Sequence, residues 1–263
     1  MMRKISVGSL LALLAVLALV SLSSAYVGAK VGMRYESNRL CCDMPKARNL
    51  WLSTRELLGF AKFYSQIGQD KWVLETVFPG VTDGFFLDVG SAEGTHLSNT
   101  KALEERGWTG ICIDPFPLKM EGRTCRMLKE VVFSESGKQV SFKASAALGG
   151  IVDTLGTWKD KANEAPTVQF TTTTLRDIVA ANHAPRFIHF MSLDIEGAEL
   201  EALKAFPFDT HRMGALAVEH NYEEPKRTQI EELMKSHGYE RVHSWQQDDF
   251  YVPARRNASS ATR

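Results

Sequence analysis

Polar side chains, most of them acidic, stand at the ends of several apolar segments. The five segment ends are Asp88, Asp114, Ser134, Asp194 and Glu219. If these segments are parallel strands, their carboxyl ends meet at one edge of a sheet, which is where such sheets bind ligands. Four of these five side chains are carboxylates. The spacing therefore predicts an acidic ligand site that can bind hydroxyl groups or a cationic group.

The segment "FFLDVGSAEG" narrows the choice of ligand. Gly90 and Gly94 follow Asp88 closely, and glycine lets the backbone turn tightly and approach a ligand. The segment lacks the G-x-G-x-x-G of a dinucleotide site, and no Gly-Lys-Ser/Thr of a P-loop follows. Glu93 adds a second acid, which would repel a pyrophosphate but suits a ligand with an amino group, a sulfonium and a ribose. These features favour S-adenosylmethionine, with Asp114 accepting hydrogen bonds from the ribose hydroxyls.

The elements that must position these residues alternate along the chain. Apolar segments such as "GFFLDVG", "TGICIDP" and "MGALAVEHN" are predicted strands, and amphipathic segments such as "EPKRTQIEELMKSHGY" are predicted helices. Strands that are apolar throughout and alternate with helices indicate a parallel sheet covered on both faces. The predicted fold is α/β, a Rossmann-like three-layer sandwich with a mostly parallel sheet.

Composition excludes some functions. The 263 residues contain 31 Lys plus Arg and 31 Asp plus Glu, and a nucleic-acid binder would need a basic excess. We therefore expect no nucleic-acid partner. The four cysteines show no zinc spacing, and Cys112, within an apolar run, is predicted to be a buried free thiol.

The amino-terminal segment predicts a targeting element. An uncharged apolar stretch at 5–25 has about the 20 residues that a membrane-spanning helix needs, so a single-pass membrane protein is expected. A cleavable signal peptide ending near Ser23-Ser24-Ala25 is the alternative, and it would give a secreted or lumenal protein. The predicted organisation is a basic region at 1–4, the helix at 5–25, a linker and leading helix at 26–60, the α/β domain at 61–253 and a disordered tail at 254–263.

Four motifs together indicate a family. They are S-Q-x-G-Q-D in "YSQIGQDKWVLETVF", D-V-G-x-x-x-G and S-N-T in "GFFLDVGSAEGTHLSNTKALEERGWTGICIDPFP", and D-x-E-G-x-E in "MSLDIEGAELEALKAF". These segments closely resemble the FkbM-type methyltransferases over most of residues 64–253. The resemblance implies a class I S-adenosylmethionine-dependent methyltransferase fold. It also implies methylation of a hydroxyl on a sugar, glycan or small metabolite.

The resemblance also implies which residues bind the cofactor. Asp88 and the turn after it form the first cofactor loop, and Ser134 and Glu135 are expected to contact the adenine. Gln69 and Asn99 are expected to close the pocket. The full predicted set is Gln69, Asp88, Gly90, Glu93, Gly94, Asn99, Asp114, Ser134 and Glu135.

Candidate catalytic groups lie at the later strand ends. Asp194 and Glu196 share a face if the backbone is extended, so they are predicted to orient or deprotonate the acceptor. One alternative is that the same oxygens hold a divalent metal. The other is helix capping, which is favoured for the nearby Glu199. His220 is a further candidate base.

A non-catalytic, membrane-anchored domain acting in interaction or trafficking is the alternative to an enzyme.

Overall fold

The computed structural model describes residues 62–255, except 146, 147, 158 and 163. The strands in these residues are β1 Phe85–Val89, β2 Thr109–Ile113, β3 Arg126–Leu128, β4 Val131–Val132, β5 Gln139–Lys143, β6 Thr167–Thr173, β7 Phe187–Leu193, β8 Arg212–Glu219, β9 Tyr239–Trp245 and β10 Asp248–Pro253. The helices are α1 Gln69–Trp72, which continues as a π-helical turn at Val73–Val77, α2 Lys101–Glu104, α3 Lys159–Ala162, α4 Leu175–Ala181, α5 Glu199–Lys204 and α6 Lys226–Ser236.

A seven-stranded sheet forms the centre, with the strand order β3-β2-β1-β7-β8-β10-β9. The strands from β3 to β8 in this order are parallel, and β10 is antiparallel to both of its neighbours. The order reverses at β1, which pairs with β2 on one side and with β7 on the other. This reversal point is where an open α/β sheet leaves a crevice at its carboxyl edge. The prediction of a mixed α/β fold with a mostly parallel central sheet is confirmed.

Alternate residues of the strands pack into two separate cores, one on each face of the sheet. Leu87 and Val89 belong to the core that also contains buried residues of α4, α5 and α6. Phe86, between them, belongs to the other core, together with buried residues of α2 and of the π-helical turn that follows α1. Because neighbouring strand residues point to opposite faces, both faces of these strands must be apolar, as the sequence predicts.

The start of α4 is marked by a threonine that caps the helix. Thr174, in the threonine run before the helix, accepts a hydrogen bond from the backbone N–H of Asp177 (3.1 Å), which is the bond that an N-cap residue makes. The helix therefore begins after this residue.

Cys112 is not the free thiol that its apolar surroundings suggest. It forms a disulfide with Cys125, and the two Cα atoms are 5.8 Å apart. The pairing arises because Cys125 immediately precedes β3, which runs alongside β2. A sequence separation of 13 residues gives no sign of this neighbourhood.

The third strand of the central sheet lies earlier in the chain than the sequence suggests. The sequence predicts that the segment ending at Ser134 continues the central sheet, but that position belongs to Arg126–Leu128. Val131–Val132 instead pairs with β6 in a small second sheet of order β4-β6-β5. Ser134 therefore does not stand at a strand end of the central sheet.

The prediction of a single-pass membrane protein is corrected. Across the part of the chain that is described, every helix is too short or too polar to cross a membrane. The longest, α6, has 11 residues, where a spanning helix needs about 20. The segment 5–25, the linker at 26–60 and most of the tail at 254–263 lie outside the described residues. We withdraw the membrane assignment.

Candidate active site

A cavity of about 470 Å³ opens at the carboxyl ends of β1, β2, β7 and β8. Its lining is strongly acidic, and none of the described lining residues is Lys or Arg. The acids in the lining are Asp88, Glu93, Asp114, Glu130, Asp194, Glu196 and Glu219. Because no lysine or arginine stands in the described lining, those of its carboxylates that are ionised favour a cationic group over an anionic one.

The turn after β1 is shaped by backbone contacts with the next strand. The N–H of Gly90 donates to the carbonyl of Ile113 (2.8 Å), and Gly90 has a φ of +87°, which favours glycine. The carboxylate of Asp114 accepts hydrogen bonds from the N–H groups of Ala92 (2.9 Å) and Phe116 (2.7 Å). Asp114 thereby holds the turn while it also lines the cavity. Burial raises the pKa of Asp114, and the two backbone hydrogen bonds act against this shift.

Asp88 lies deeper than the turn that follows it. Its Oδ2 accepts a hydrogen bond from the hydroxyl of Thr100 (2.5 Å) and is 3.7 Å from Nη2 of Arg123. Burial raises the pKa of Asp88, while the Arg123 charge lowers it. Glu93, at the rim, pairs with the exposed Lys119 (2.6 Å), whose hydrogen bond lowers the Glu93 pKa.

Two amide side chains of the predicted cofactor set are held at the cavity by hydrogen bonds. Gln69 donates to Oδ2 of Asp248 (2.9 Å), and Asn99 donates to the hydroxyl of Ser192 (2.8 Å). Both line the cavity. Oδ1 of Asn99 is buried and accepts no hydrogen bond from the described residues, so it is available to a ligand.

Two predicted adenine contacts lie elsewhere. Ser134 and Glu135 do not line the cavity; Glu130, Val131 and Val132 do. The shift follows from the position of β3, whose end at Leu128 brings these three residues to the carboxyl edge of the sheet. Glu135 is exposed. Ser134 and Glu135 therefore lie outside the cavity, and Glu130, Val131 and Val132 form this part of its lining.

Asp194, Glu196 and Glu219 converge on the far side of the turn. Their carboxylate oxygens lie within 4.8 Å of one another. Asn221 donates to Oε2 of Glu219 (2.8 Å) and to Oε2 of Glu196 (3.3 Å). The three oxygens could also bind a divalent cation, because carboxylates are its preferred ligands.

Burial and mutual repulsion keep protons on this cluster. Desolvation raises the pKa of Asp194 to about 7, although a hydrogen bond from the Glu219 carboxyl opposes the shift. Desolvation and the neighbouring Asp194 charge raise the pKa of Glu196 to about 9. The pKa of Glu219 is raised further, by burial and then by Asp194. The cluster therefore holds protons at a pH where solvated carboxyl groups have lost theirs.

The other candidate groups are turned away from the cavity. Glu199 accepts hydrogen bonds from the N–H groups of Ile195 (2.9 Å) and Gly197 (3.0 Å), so it holds the turn that precedes α5. Nδ1 of His220 accepts from the N–H of Tyr222 (2.9 Å), and its Nε2 is 3.6 Å from Oδ1 of Asp249. His220 does not line the cavity, and burial lowers its pKa. The structure thus separates His220 from Asp194 and Glu196.

Tyr222 is a cavity residue that the sequence analysis did not single out. It lies at the rim with 66% of its surface exposed, and its ring packs edge-on against the ring of His220. Its neighbour Glu223 accepts a hydrogen bond from the N–H of Thr157 (2.6 Å), which joins two loops of the rim. An aromatic residue shortly after a strand end carries no pattern that would distinguish this role from packing.

The sheet order, the glycine turn after β1 and the acids at the ends of β1 and β2 fit a methyltransferase-like fold. The family model of the methyltransferase FkbM domain matches residues 88–241, which is more than half of the chain. The chain therefore belongs to the FkbM methyltransferase family, as its motifs indicate, and this family implies a methyl donor. No curated protein and no solved structure matches the chain.

Proposed function

We propose that this chain is an S-adenosylmethionine-dependent methyltransferase and that residues 61–253 carry the reaction. The acceptor is a hydroxyl group on a neutral sugar, glycan or small metabolite. The observation that carries the proposal is the cavity at the reversal point of the sheet, lined by acids and by no described lysine or arginine. This lining suits a sulfonium cation and a polyhydroxylated acceptor, and it disfavours phosphorylated or carboxylated acceptors.

The donor half of the cavity is the turn after β1 and the strand ends beside it. In this proposal the Asp114 carboxylate accepts hydrogen bonds from the ribose hydroxyls, as the acid at this position of a Rossmann sheet does. Asn99 offers its unpaired Oδ1 to the amino acid part of the donor. Val131 and Val132 provide apolar surface for the adenine. When bound, S-adenosylmethionine supplies an electrophilic methyl group.

The acceptor half is the carboxylate cluster. Asp194 accepts the proton of the acceptor hydroxyl, because its pKa of about 7 lies near the operating pH that suits a general base. Glu219 holds Asp194 through a hydrogen bond, and Glu196 keeps its proton and donates to a second acceptor hydroxyl. The cluster therefore both orients the acceptor and removes its proton.

Isothermal titration of S-adenosylmethionine into the full chain tests the proposal. We expect micromolar binding by the wild type and a loss of about tenfold or more in Asp114→Ala, since a charge-assisted hydrogen bond is removed. Glu135→Ala is the matched control, because Glu135 is exposed and outside the cavity lining. The proposal fails if the folded wild type does not bind, or if Asp114→Ala binds as the wild type does.

A further inference from the structure

Residues 115–125, which belong to the segment between β2 and β3, lie against the turn after β1, residues 90–94, which we call the cofactor turn. We call residues 115–125 the strap. The N–H of Leu118 donates to the carbonyl of Ala92 (2.8 Å), and the N–H of Gly94 donates to the carbonyl of Leu118 (2.9 Å). A Cβ atom on Gly94 would lie 2.2 Å from the carbonyl oxygen of Lys119, so the strap and the turn are in direct backbone contact. The position of the turn therefore depends on the position of the strap.

Arg123, near the end of the strap, has a side chain that is only 2% exposed. Its guanidinium group donates hydrogen bonds to five groups beneath the turn. They are Oε2 of Glu104 (2.7 Å), the carbonyl of Gly94 (3.1 Å), Oγ of Ser98 (3.2 Å), Oγ1 of Thr100 (2.7 Å) and Sγ of Cys112 (3.1 Å). Thr100 in turn donates to Asp88, so one guanidinium links both ends of the cofactor loop.

The charge of Arg123 is balanced locally. A buried charge is costly unless it is paired and hydrogen-bonded, and Arg123 faces two buried carboxylates, Glu104 at 2.7 Å and Asp88 at 3.7 Å. The planar fork of arginine makes several hydrogen bonds in fixed directions, which the single ammonium of lysine does not reproduce. The site thus requires arginine rather than a positive charge alone.

The disulfide fixes the end of the strap that carries Arg123. Cys125, two residues after Arg123, is bonded to Cys112 on β2. The N–H of Cys125 also donates to Oε1 of Glu104 (2.7 Å), the same carboxylate that pairs with Arg123. The cross-link closes a loop that contains the whole strap, and a cross-link of this kind limits the conformations open to its loop.

We infer that Arg123 is the positioning residue of the cofactor turn and that the Cys112–Cys125 disulfide keeps Arg123 in place. Reduction of the disulfide therefore weakens cofactor binding. The inference rests on the proposed function. In the reductive step a dithiol reductant supplies two electrons and two protons, the S–S bond breaks, two cysteine thiols form and the reductant becomes a disulfide. The strap then keeps only its noncovalent contacts, and the turn loses its fixed support.

The first test compares Arg123→Lys and Arg123→Met with the matched control Arg241→Lys. Arg241 is also paired with an aspartate, Asp249 (2.9 Å), but on the antiparallel strands. We expect S-adenosylmethionine affinity to fall by about tenfold or more in both Arg123 variants and to stay unchanged in the control. Arg123→Lys, which keeps the charge, should fold with a melting temperature closer to the wild type than Arg123→Met.

Amide hydrogen exchange on the protein without cofactor gives a second readout, independent of binding. We expect the N–H groups of Gly90, Ala92 and Gly94 to exchange faster in Arg123→Lys and at the wild-type rate in Arg241→Lys. Unchanged exchange at the turn and unchanged affinity in folded Arg123→Lys would overturn the inference. If wild-type protein fails to bind while exchange at the turn responds to Arg123→Lys, the proposed function has failed and the positioning role stands.

The redox part is tested with dithiothreitol. We expect the reduced protein, verified by thiol labelling of Cys112 and Cys125, to bind S-adenosylmethionine more weakly than the oxidised protein. Cys125→Ser should reproduce the loss without reductant and should not respond to it. Equal affinity of the oxidised and the fully reduced protein would overturn the redox coupling.

Discussion

The carbonyl oxygen of Asp194 lies only 1.6 Å from the position that a Cβ atom would occupy on Gly90. The contact joins the ends of β1 and β7, where the strand order of the sheet reverses. It brings the turn after β1, which the proposed function assigns to the methyl donor, against the backbone of Asp194, which is assigned to the acceptor. No side chain larger than hydrogen fits between them.

Replacement of Gly90 should therefore destabilise the protein far more than replacement of another glycine with a similar backbone φ. Gly137 has a similar φ, +84°, but a Cβ atom there would meet nothing within 4 Å. We expect Gly137→Ala to cost about 1–2 kcal/mol, the penalty of a left-handed alanine. Gly90→Ala should cost more and should also weaken S-adenosylmethionine binding. Thermal unfolding and titration check this, and equal melting temperatures of the two variants would contradict it.

Removing one acid from the carboxylate cluster should stabilise the protein in alkaline solution. The Glu196 pKa is raised from 4.5 to about 9, and those of Asp194 and Glu219 are raised too. The folded state thus holds protons that the unfolded state releases above pH 4.5, so stability falls as pH rises towards 9. We expect Glu219→Gln to flatten this fall, measured as melting temperature against pH. The exposed Glu240→Gln should follow the wild-type curve, and an identical curve for Glu219→Gln would contradict the argument.

Asp194 should control the pH dependence of methyl transfer. Because its pKa is about 7, we expect kcat/KM to rise with pH through the neutral range as the carboxylate loses its proton. Asp194→Asn should lower kcat by about 10²–10⁴-fold, the usual contribution of a general base, and leave the donor affinity near that of the wild type. A variant that keeps the wild-type rate would exclude Asp194 as the base.

His220 should position Tyr222 rather than transfer a proton. Its Nδ1 fixes the N–H of Tyr222, and its ring lies outside the cavity lining. We expect His220→Asn to raise the acceptor KM and to lower the melting temperature, while the pH dependence of kcat keeps its shape. Loss of the rising limb of the pH profile would restore His220 as a candidate base.

Tyr222 should contribute to acceptor binding alone. An exposed aromatic ring at the rim provides a flat surface for an acceptor ring, and aromatic contacts contribute about 0.5–1.5 kcal/mol. We expect Tyr222→Ala to raise the acceptor KM by up to about tenfold, with the donor affinity unchanged. The control is Val242→Ala, which changes an exposed apolar residue of β9. An unchanged KM in Tyr222→Ala would place the acceptor elsewhere.

The central strands could be predicted because their residues are buried on both faces. Phe85–Val89, Thr109–Ile113 and Arg212–Glu219 are short apolar segments bounded by turns, and such segments have few alternatives to a central strand. The acids at their ends follow directly, since the carboxyl edge is set once the strands are known. For this reason most of the predicted cofactor residues lie in one cavity.

The remaining features depend on contacts between distant or irregular segments. Thr167–Thr173 and Tyr239–Trp245 are strands rich in polar residues, so they lack the apolar pattern that marks the centre of the sheet. Arg123 lies in a loop, where a charged residue is normally solvated, and only the folded strap buries it. The displacement of Ser134 and Glu135 from the cavity follows from the short β3, which has three residues.

The pairing of β1 with β7 also has a consequence for the order of folding. Phe85 and His189, which are hydrogen-bonded beside this pair, are 104 positions apart in the chain. Contacts between such distant segments form slowly, because a long loop must close before they are made. During synthesis the turn after β1 therefore leaves the ribosome well before β7, the strand that pairs with β1. The nascent amino-terminal half exposes one edge of β1 until β7 arrives, and it is in this interval that a chaperone would have a strand edge to protect.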